Sequence, residues 1–252
     1  MTFSDLALLI PAGLLAGAMN AIAGGGTFVT FPALIALGLP PVAANATATL
    51  SALPGYFSGA AAFREDIANE RRFPLWQLIA TALVGGLCGA LLLIATPSKA
   101  FAGAVPWLLL IATLLFALGP RLVAIMRARA GREAGLWTMV GVLGLVCLYG
   151  GYFNGGLGIL LLAGLGLIGL SDLNAMNGLK NLMSGSIATI SAVPFALAGV
   201  VHWPEGAAMA VATMLGAYGG GRLARRLPDQ RLIRWGVIAI GLGMSALFFA
   251  RA

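Results

Sequence analysis

The sequence predicts an all-α integral membrane protein, a helical bundle of two inverted repeats. Of its 252 residues, 60% are hydrophobic and 9% are charged, against about 25% charged residues in ordinary soluble domains. No acidic or basic residue stands between Asp5 and Arg64, and the later uncharged runs also reach the roughly 20 residues that cross a bilayer as a helix. The runs lack the strict alternation of β-barrel strands, so helices are expected.

Ten helical segments are expected in a single membrane domain. Each half has a broken or re-entrant hairpin, whose second helix is short, and three longer helices. The segments are residues 6–22, 27–38, 42–62, 75–95, 101–118, 136–152, 157–170, 175–200, 206–220 and 233–250. The sequence leaves open whether the short segments 27–38 and 157–170 cross the membrane or turn back within it.

Most basic residues lie in three gaps between these segments. Because cytoplasmic loops are enriched in Lys and Arg, the three gaps are expected inside the cell and both termini outside. The net charge of +7 lacks the interleaved aromatic residues of a nucleic-acid surface, so contact with anionic lipid is expected and nucleic acid is not. The basic residues are Arg64, Arg71 and Arg72; Arg121, Arg127, Arg129 and Arg132; and Arg222, Arg225, Arg226, Arg231 and Arg234.

The chain repeats itself at an offset of about 132 residues, which brings Asn45 onto Asn177. A glycine-rich stretch at 16–26 resembles that at 149–158, and an apolar stretch and a Gly-Leu pair follow each. With an odd number of segments per half, repeat one (about 1–130) and repeat two (about 131–252) must be inverted relative to each other. Inverted repeats with glycine-interrupted short helices indicate a transporter with a midplane site, although a packing repeat without a site is the alternative.

The two glycine-rich stretches are candidate anion sites. The chain is expected to unwind there before a short helix, which leaves free N–H groups and about half a positive charge at the helix N-terminus. Glycine lets a ligand approach the backbone, and nearby side chains add donors. The alternative is that these glycines serve only close helix packing. The candidates are Asn20, Gly24, Gly25, Gly26, Thr27, Asn154, Gly155 and Gly156.

Polar residues at the start of the following long helices form a second candidate group. Asn45 and Thr49 are four residues apart and share a helix face, as do Asn177 and Asn181. Apart from Arg234 at the edge of the last segment, Lys180 is the only charge within the apolar segments, and burying it costs about 3 kcal/mol. We interpret Lys180 as the counter-charge of an anionic substrate; the alternative is a lysine that snorkels to the membrane surface.

An enzyme is disfavoured. An intramembrane serine protease using Ser184 and His202 is one alternative, but His202 is expected beyond the helix that carries Ser184, as an anchor at the membrane surface. There is no second histidine to build a metal site, and no cofactor is expected.

Several motifs resemble the sulfite exporter TauE/SafE family of membrane permeases, over nearly the whole chain. They are the glycine triplet with Phe31-Pro32 and Gly38-Leu39-Pro40-Pro41, the stretch from Tyr149 to Phe153, and the stretch from Asn174 to Asn181. The resemblance implies efflux of sulfite, sulfonates or related oxyanions. It also implies that Gly24, Gly25 and Gly26 mark one repeat, and Gly150, Gly151, Gly155, Gly156 and Gly158 the other. Asn154 departs from the family pattern, where many relatives have glycine.

These observations predict a multi-pass transporter of the bacterial-type inner membrane that exports a small oxyanion such as sulfite or an organosulfonate. Transport of a cation or a neutral solute is the alternative. The natural substrate, the coupling ion and the oligomeric state, including a homodimer, are left open.

Overall fold

The computed structural model describes residues 2–22, 24–128, 135–224 and 231–251. Regular structure in these ranges is entirely helical, in twelve helices, which confirms the all-α prediction. Three of them are long and apolar enough to span a bilayer, within Phe3–Asn20, Leu75–Ala95 and Ser98–Gly119. The helices are α1 (Phe3–Ile22), α2 (Thr27–Ala36), α3 (Pro41–Ser51), α4 (Leu53–Ala62), α5 (Arg64–Asn69), α6 (Leu75–Ala95), α7 (Ser98–Ala128), α8 (Leu136–Tyr152), α9 (Leu157–Leu167), α10 (Leu173–Leu197), α11 (Trp203–Ala224) and α12 (Arg231–Arg251).

The second helix of each predicted hairpin, α2 and α9, is short. They contain 10 and 11 residues, or about 15 and 17 Å, against a hydrocarbon core of about 30 Å. Both are followed by a glycine in the left-handed region, Gly38 with φ 88° and Gly169 with φ 100°. The N–H of the next residue, Leu39 or Leu170, donates to a carbonyl five residues earlier, as in a Schellman cap. The repeated Gly-Leu pairs therefore terminate the short helices.

The third predicted segment, 42–62, is not one continuous helix. It is divided into α3 and α4 at Ala52. Pro54 has no N–H to donate to the preceding turn, and its ring crowds the carbonyl group of Leu50, so the helix breaks there. The matching helix of the second half, α10, runs through 25 residues with its only proline, Pro194, near its end.

Helices also extend into the predicted basic gaps. Arginine is a good helix former, so a helix can continue past the apolar stretch into the headgroup region. The structure places Arg64 in α5, Arg121 and Arg127 in α7, Arg222 in α11, and Arg231 and Arg234 in α12. Arg129, Arg132, Arg225 and Arg226 lie outside the described residues.

Helices of the first half pack on helices of the second. α1 lies along α11, and α6 lies along α8. A Cβ atom at Gly17 of α1 would overlap the carbonyl oxygen of Thr213, and one at Gly89 of α6 would overlap that of Leu148. The backbones are therefore in direct contact, which small residues allow in lipid, where the hydrophobic effect does not drive helices together.

The broken segment α3–α4 runs antiparallel to α10. Near the start of α10, the amide of Asn181 packs over Gly59 of α4. Beyond the end of α10, the N–H of His202 donates to Oγ1 of Thr47 in α3 at 3.1 Å. This crossing places the two polar helix starts of the sequence analysis at opposite ends of the same helix pair.

Candidate functional site

The first helix break is closed by a side chain of its own half. α1 ends at Ile22, and the N–H of Gly24, which has φ 78°, donates to the carbonyl of Met19 at 3.0 Å. The N–H of Gly26, just before α2, donates to Oδ1 of Asn20 at 2.9 Å. Asn20 therefore satisfies one of the free N–H groups at the start of α2, as an N-cap residue would.

The second helix break lies between α8 and α9, at Phe153–Gly156. Gly156 caps α9 with φ 74°, a conformation that glycine adopts without strain. The hydroxyl of Tyr149 donates to the carbonyl of Gly155 at 2.7 Å. Phe153 is fully buried, and its ring meets Phe31 of α2 edge to face at 5.9 Å between centroids. The aromatic contact joins the two hairpins.

The two breaks also meet backbone to backbone. A Cβ atom at Gly158, in the first turn of α9, would lie 3.2 Å from Cα of Gly24 and 3.3 Å from its carbonyl oxygen. Gly158 therefore has little room for a side chain, the positive φ of Gly24 favours glycine, and the two helix breaks lie next to each other.

Lys180 lies beside this glycine contact. The residue is 4% exposed, and its Nζ donates to Oδ1 of Asn177 at 3.3 Å. A Cβ atom at Gly24 would be 3.9 Å from Nζ, and one at Gly158 would be 3.4 Å from Cδ. In the described part of the chain no carboxylate pairs with this ammonium group, since the single ion pair found there joins His202 and Glu205. A snorkelling lysine would instead expose its ammonium group to water.

A chain of hydrogen bonds links the two breaks through Tyr56 of α4. The Tyr56 hydroxyl donates to Oδ1 of Asn154 at 3.2 Å and also interacts with the side chain of Asn20. Nδ2 of Asn154 is buried and has no hydrogen-bond partner among the described residues. Sequence reasoning missed Tyr56, although an unbroken helix over 42–62 would have placed it, eleven positions after Asn45, on the same helical face.

Asn45 also contacts the second break. Its Nδ2 donates to the carbonyl of Tyr152 at 3.0 Å, whereas its Oδ1 is buried without a partner in the described residues. The hydroxyl of Thr49 donates to the backbone carbonyl of Asn45 at 2.9 Å. The Thr49 hydroxyl is therefore bonded within α3, and only Asn45 of this pair presents a polar atom to the break.

The remaining candidates differ in position. Gly25 and Thr27 are buried at the start of α2. Asn177 is half-buried and donates through Nδ2 to the carbonyl of Leu173 at 2.9 Å. Asn181 packs its amide against Gly59 of α4. The structure thus gathers most candidates at the two breaks and leaves Thr49 and Asn181 outside that group.

Ser184 and His202 do not form a nucleophile–base pair. Ser184 is buried in α10 between three and four turns before its end, about 20 Å along the axis. His202 is exposed beyond that end, and its Nδ1 lies 4.0 Å from a carboxylate oxygen of Glu205. In the described ranges no group of three or more His, Cys, Asp or Glu residues could hold a metal ion.

Comparison with known proteins agrees with this architecture. The family model described as "Sulfite exporter TauE/SafE" matches residues 9–248. A "Probable membrane transporter protein" of Haemophilus influenzae is 30% identical over 96% of this chain and 93% of its own length. The "Probable membrane transporter protein YfcA" of Escherichia coli K12 is 33% identical over 96% of this chain and 88% of its own. No solved structure matches.

Proposed function

Because this chain belongs to the sulfite exporter TauE/SafE family and is a membrane transporter, we propose that it exports a small oxyanion such as sulfite or an organosulfonate. The observation that carries the proposal is the buried ammonium group of Lys180 beside Gly24 and Gly158, with no carboxylate partner in the described residues. A buried cation without a counter-charge is costly. An anionic substrate would supply that charge.

The chemistry of the breaks favours an anion over a cation or a neutral solute. The starts of α2 and α9 add partial positive charge from their helix dipoles, and an ammonium group next to them would repel a cation. In the described chain, Lys180 is the one buried charged residue, so no buried carboxylate offers a cation site. Oxyanions accept several hydrogen bonds, which suits N–H and ammonium donors.

Alternating access by two inverted halves is part of the proposal. The end of α9 lies next to Arg72, whose Nε donates to the carbonyl of Ile168 at 2.8 Å. The helix after α2, in contrast, contacts the opposite end of α10 through Thr47 and His202. The two hairpins thus point to opposite ends of α10, which spans about 38 Å. This arrangement supports halves that rock about a site at the two breaks.

The membrane potential would favour export across a bacterial-type inner membrane. At 100 mV, inside negative, one negative charge is driven outward by about 2.3 kcal/mol. That energy corresponds to roughly fifty-fold accumulation outside. Export of a monoanion by this protein would therefore need no coupling ion.

The test is anion flux in proteoliposomes. We would compare sulfite, sulfate, a short sulfonate and chloride for the native protein and for Lys180→Gln. Flux of one oxyanion should fall at least about thirtyfold in the variant, because a buried charge interaction is lost. Lys99→Gln is the matched control, since Lys99 is exposed at the start of α7 and its loss should leave the flux unchanged.

Two outcomes would contradict the proposal. If well-reconstituted protein moves no anion, the proposed anion transport is wrong, and cations and neutral solutes are the substrates to test next. Equal oxyanion flux in the native protein and in Lys180→Gln would remove Lys180 from the site.

A further inference from the structure

Two amide side chains at the second helix break each keep one polar atom without a partner in the described chain. They are Oδ1 of Asn45 and Nδ2 of Asn154, in residues that are 0% and 3% exposed. Buried polar atoms in folded proteins are nearly always hydrogen-bonded, because leaving one unpaired costs its hydration. Two such atoms at one helix break, which leads directly into the turn of α9 that carries Gly158, indicate groups that bind a ligand.

Backbone groups that can only donate or only accept determine whether the unpaired atom of each amide is a donor or an acceptor. The carbonyl of Tyr152 accepts only, so Asn45 must turn its Nδ2 toward it. The atom left over on Asn45 is therefore an acceptor.

The polarity of Asn154 follows from a longer chain of hydrogen bonds. The N–H of Gly26 donates only, so Asn20 turns its Oδ1 toward it, which leaves Nδ2 as the donor of this amide. The side chain of Asn20 also interacts with Tyr56. The Tyr56 hydroxyl then donates to Oδ1 of Asn154. The atom left over on Asn154 is a donor.

We propose that the transported anion carries its own O–H or N–H group. This group donates to Oδ1 of Asn45, while the anionic oxygens of the substrate accept from Asn154 Nδ2 and Lys180 Nζ. Hydrogen sulfite and hydroxy- or amino-alkanesulfonates have both features; fully deprotonated sulfate has only acceptors. The inference rests on the proposed function, because it assigns a substrate class to the same site.

Three sulfonates of equal charge separate the effect of the donor from those of size and polarity. Hydroxyethanesulfonate has an O–H donor, propanesulfonate replaces the hydroxyl by a methyl group, and methoxyethanesulfonate keeps the oxygen without a donor. In proteoliposomes, we expect native protein to move hydroxyethanesulfonate at least about tenfold faster than either analogue, since a site built for a substrate hydroxyl leaves its acceptor unpaired with the others.

Variants test whether Asn45 causes the preference for hydroxyethanesulfonate. In Asn45→Leu, the rate ratio of hydroxyethanesulfonate to propanesulfonate should fall to about one. Ser51→Ala is the matched control: Ser51 is equally buried on the same helix, and its hydroxyl bonds within that helix to Ala48. It should keep the native ratio.

The comparison of sulfonates in the native protein tests the inference even if Asn45→Leu does not fold. Equal rates for hydroxyethanesulfonate and propanesulfonate, or equally fast methoxyethanesulfonate, overturn the inference and leave anion transport standing. If Asn45→Leu keeps the native rate ratio of hydroxyethanesulfonate to propanesulfonate, Asn45 is not the acceptor and the inference is wrong. No flux of sulfite or of any sulfonate overturns the inference and the proposed function together.

Discussion

At the scale of single residues, Tyr56 connects the two helix breaks. Its hydroxyl donates to Asn154 of the second half and interacts with Asn20 of the first. Asn20 is also held by the N–H of Gly26, and Asn154 precedes Gly155, so one phenolic group connects the amides of both breaks. In a low-dielectric interior, such a chain of hydrogen bonds holds its members more firmly than isolated pairs would.

Replacing Tyr56 by phenylalanine should destabilise the protein without changing the size of the side chain appreciably. The variant leaves Oδ1 of Asn154 without its donor, at a cost of about 1 kcal/mol. For a chain of this length, the apparent Tm in detergent should fall by about 2–4 °C, measured by thermal unfolding. Ser58→Ala is the control, because Ser58 is exposed on the same helix and its hydroxyl donates to the Gly55 carbonyl in the same turn. Equal Tm values for both variants would contradict the linking role.

Residues of the site differ in how visible they are in the sequence. Lys180 could be identified because a charge inside an apolar run has few structural explanations. Tyr56 could not, because a tyrosine in an apolar helix looks like any core aromatic until its hydroxyl partner is known. Thr49 and Asn181 share helix faces with real contributors, but spacing does not tell which way a polar group bonds: Thr49 back to its own helix, and Asn181 against Gly59.

At the scale of helices, glycine determines how closely neighbours approach. Gly89 brings the backbone of α6 onto that of α8, where its hydrogen atom faces the Leu148 carbonyl. Not every glycine has this role: a Cβ atom at Gly103, in α7, would meet nothing within 4 Å. The contacts of a glycine therefore predict how closely two helices approach, whereas the number of glycines in a helix does not.

The two glycines should respond to alanine with opposite sign. Gly89→Ala must push α6 and α8 apart, and such overpacking typically costs about 1–3 kcal/mol. Gly103→Ala has open space and should gain up to about 1 kcal/mol of helix propensity. Apparent Tm in detergent, with size-exclusion profiles, would measure both. A Tm in Gly89→Ala at or above that of Gly103→Ala would be incompatible with the close contact.

Helix boundaries were predictable to different degrees. The range 136–152 is the same in the sequence prediction and in α8, because Gly135 precedes it and an unwound stretch follows. The break between α3 and α4 was missed, since a proline within an apolar run can either kink a helix or start a new one. The ends of α7 and α11 were placed too early, because a drop in hydropathy shows where lipid contact ends and not where the helix ends.

At the scale of the whole molecule, charge should set the orientation in the membrane. Arg64, Arg71 and Arg72 precede α6, and Lys99 follows it at the start of α7. α6 contains 21 residues with a mean hydropathy of 2.4, enough to cross a bilayer once. The positive-inside rule then places the arginine group in the cytoplasm and Lys99 outside.

Single cysteines would test this orientation. In a background with Cys88→Ala and Cys147→Ala, a cysteine in place of Arg71 should react with a membrane-impermeant maleimide only in inside-out vesicles. A cysteine in place of Lys99 should react only in intact cells with a permeable outer membrane. Both positions are exposed, so a cysteine that does not react must be separated from the reagent by the membrane. The same sidedness at both positions would exclude a single crossing by α6.

The pairing of α1 with α11 has a consequence for how the protein is made. A ribosome releases α1 long before α11, so α1 must enter the bilayer before its partner exists. Its stretch Phe3–Asn20 is apolar enough to do so alone, with hydropathy 1.4. α8, by contrast, emerges when α6 is already in place. The groove of α1 around Gly13 and Gly17, which α11 fills, therefore faces lipid through most of synthesis, and its closure by α11 is a late step of assembly.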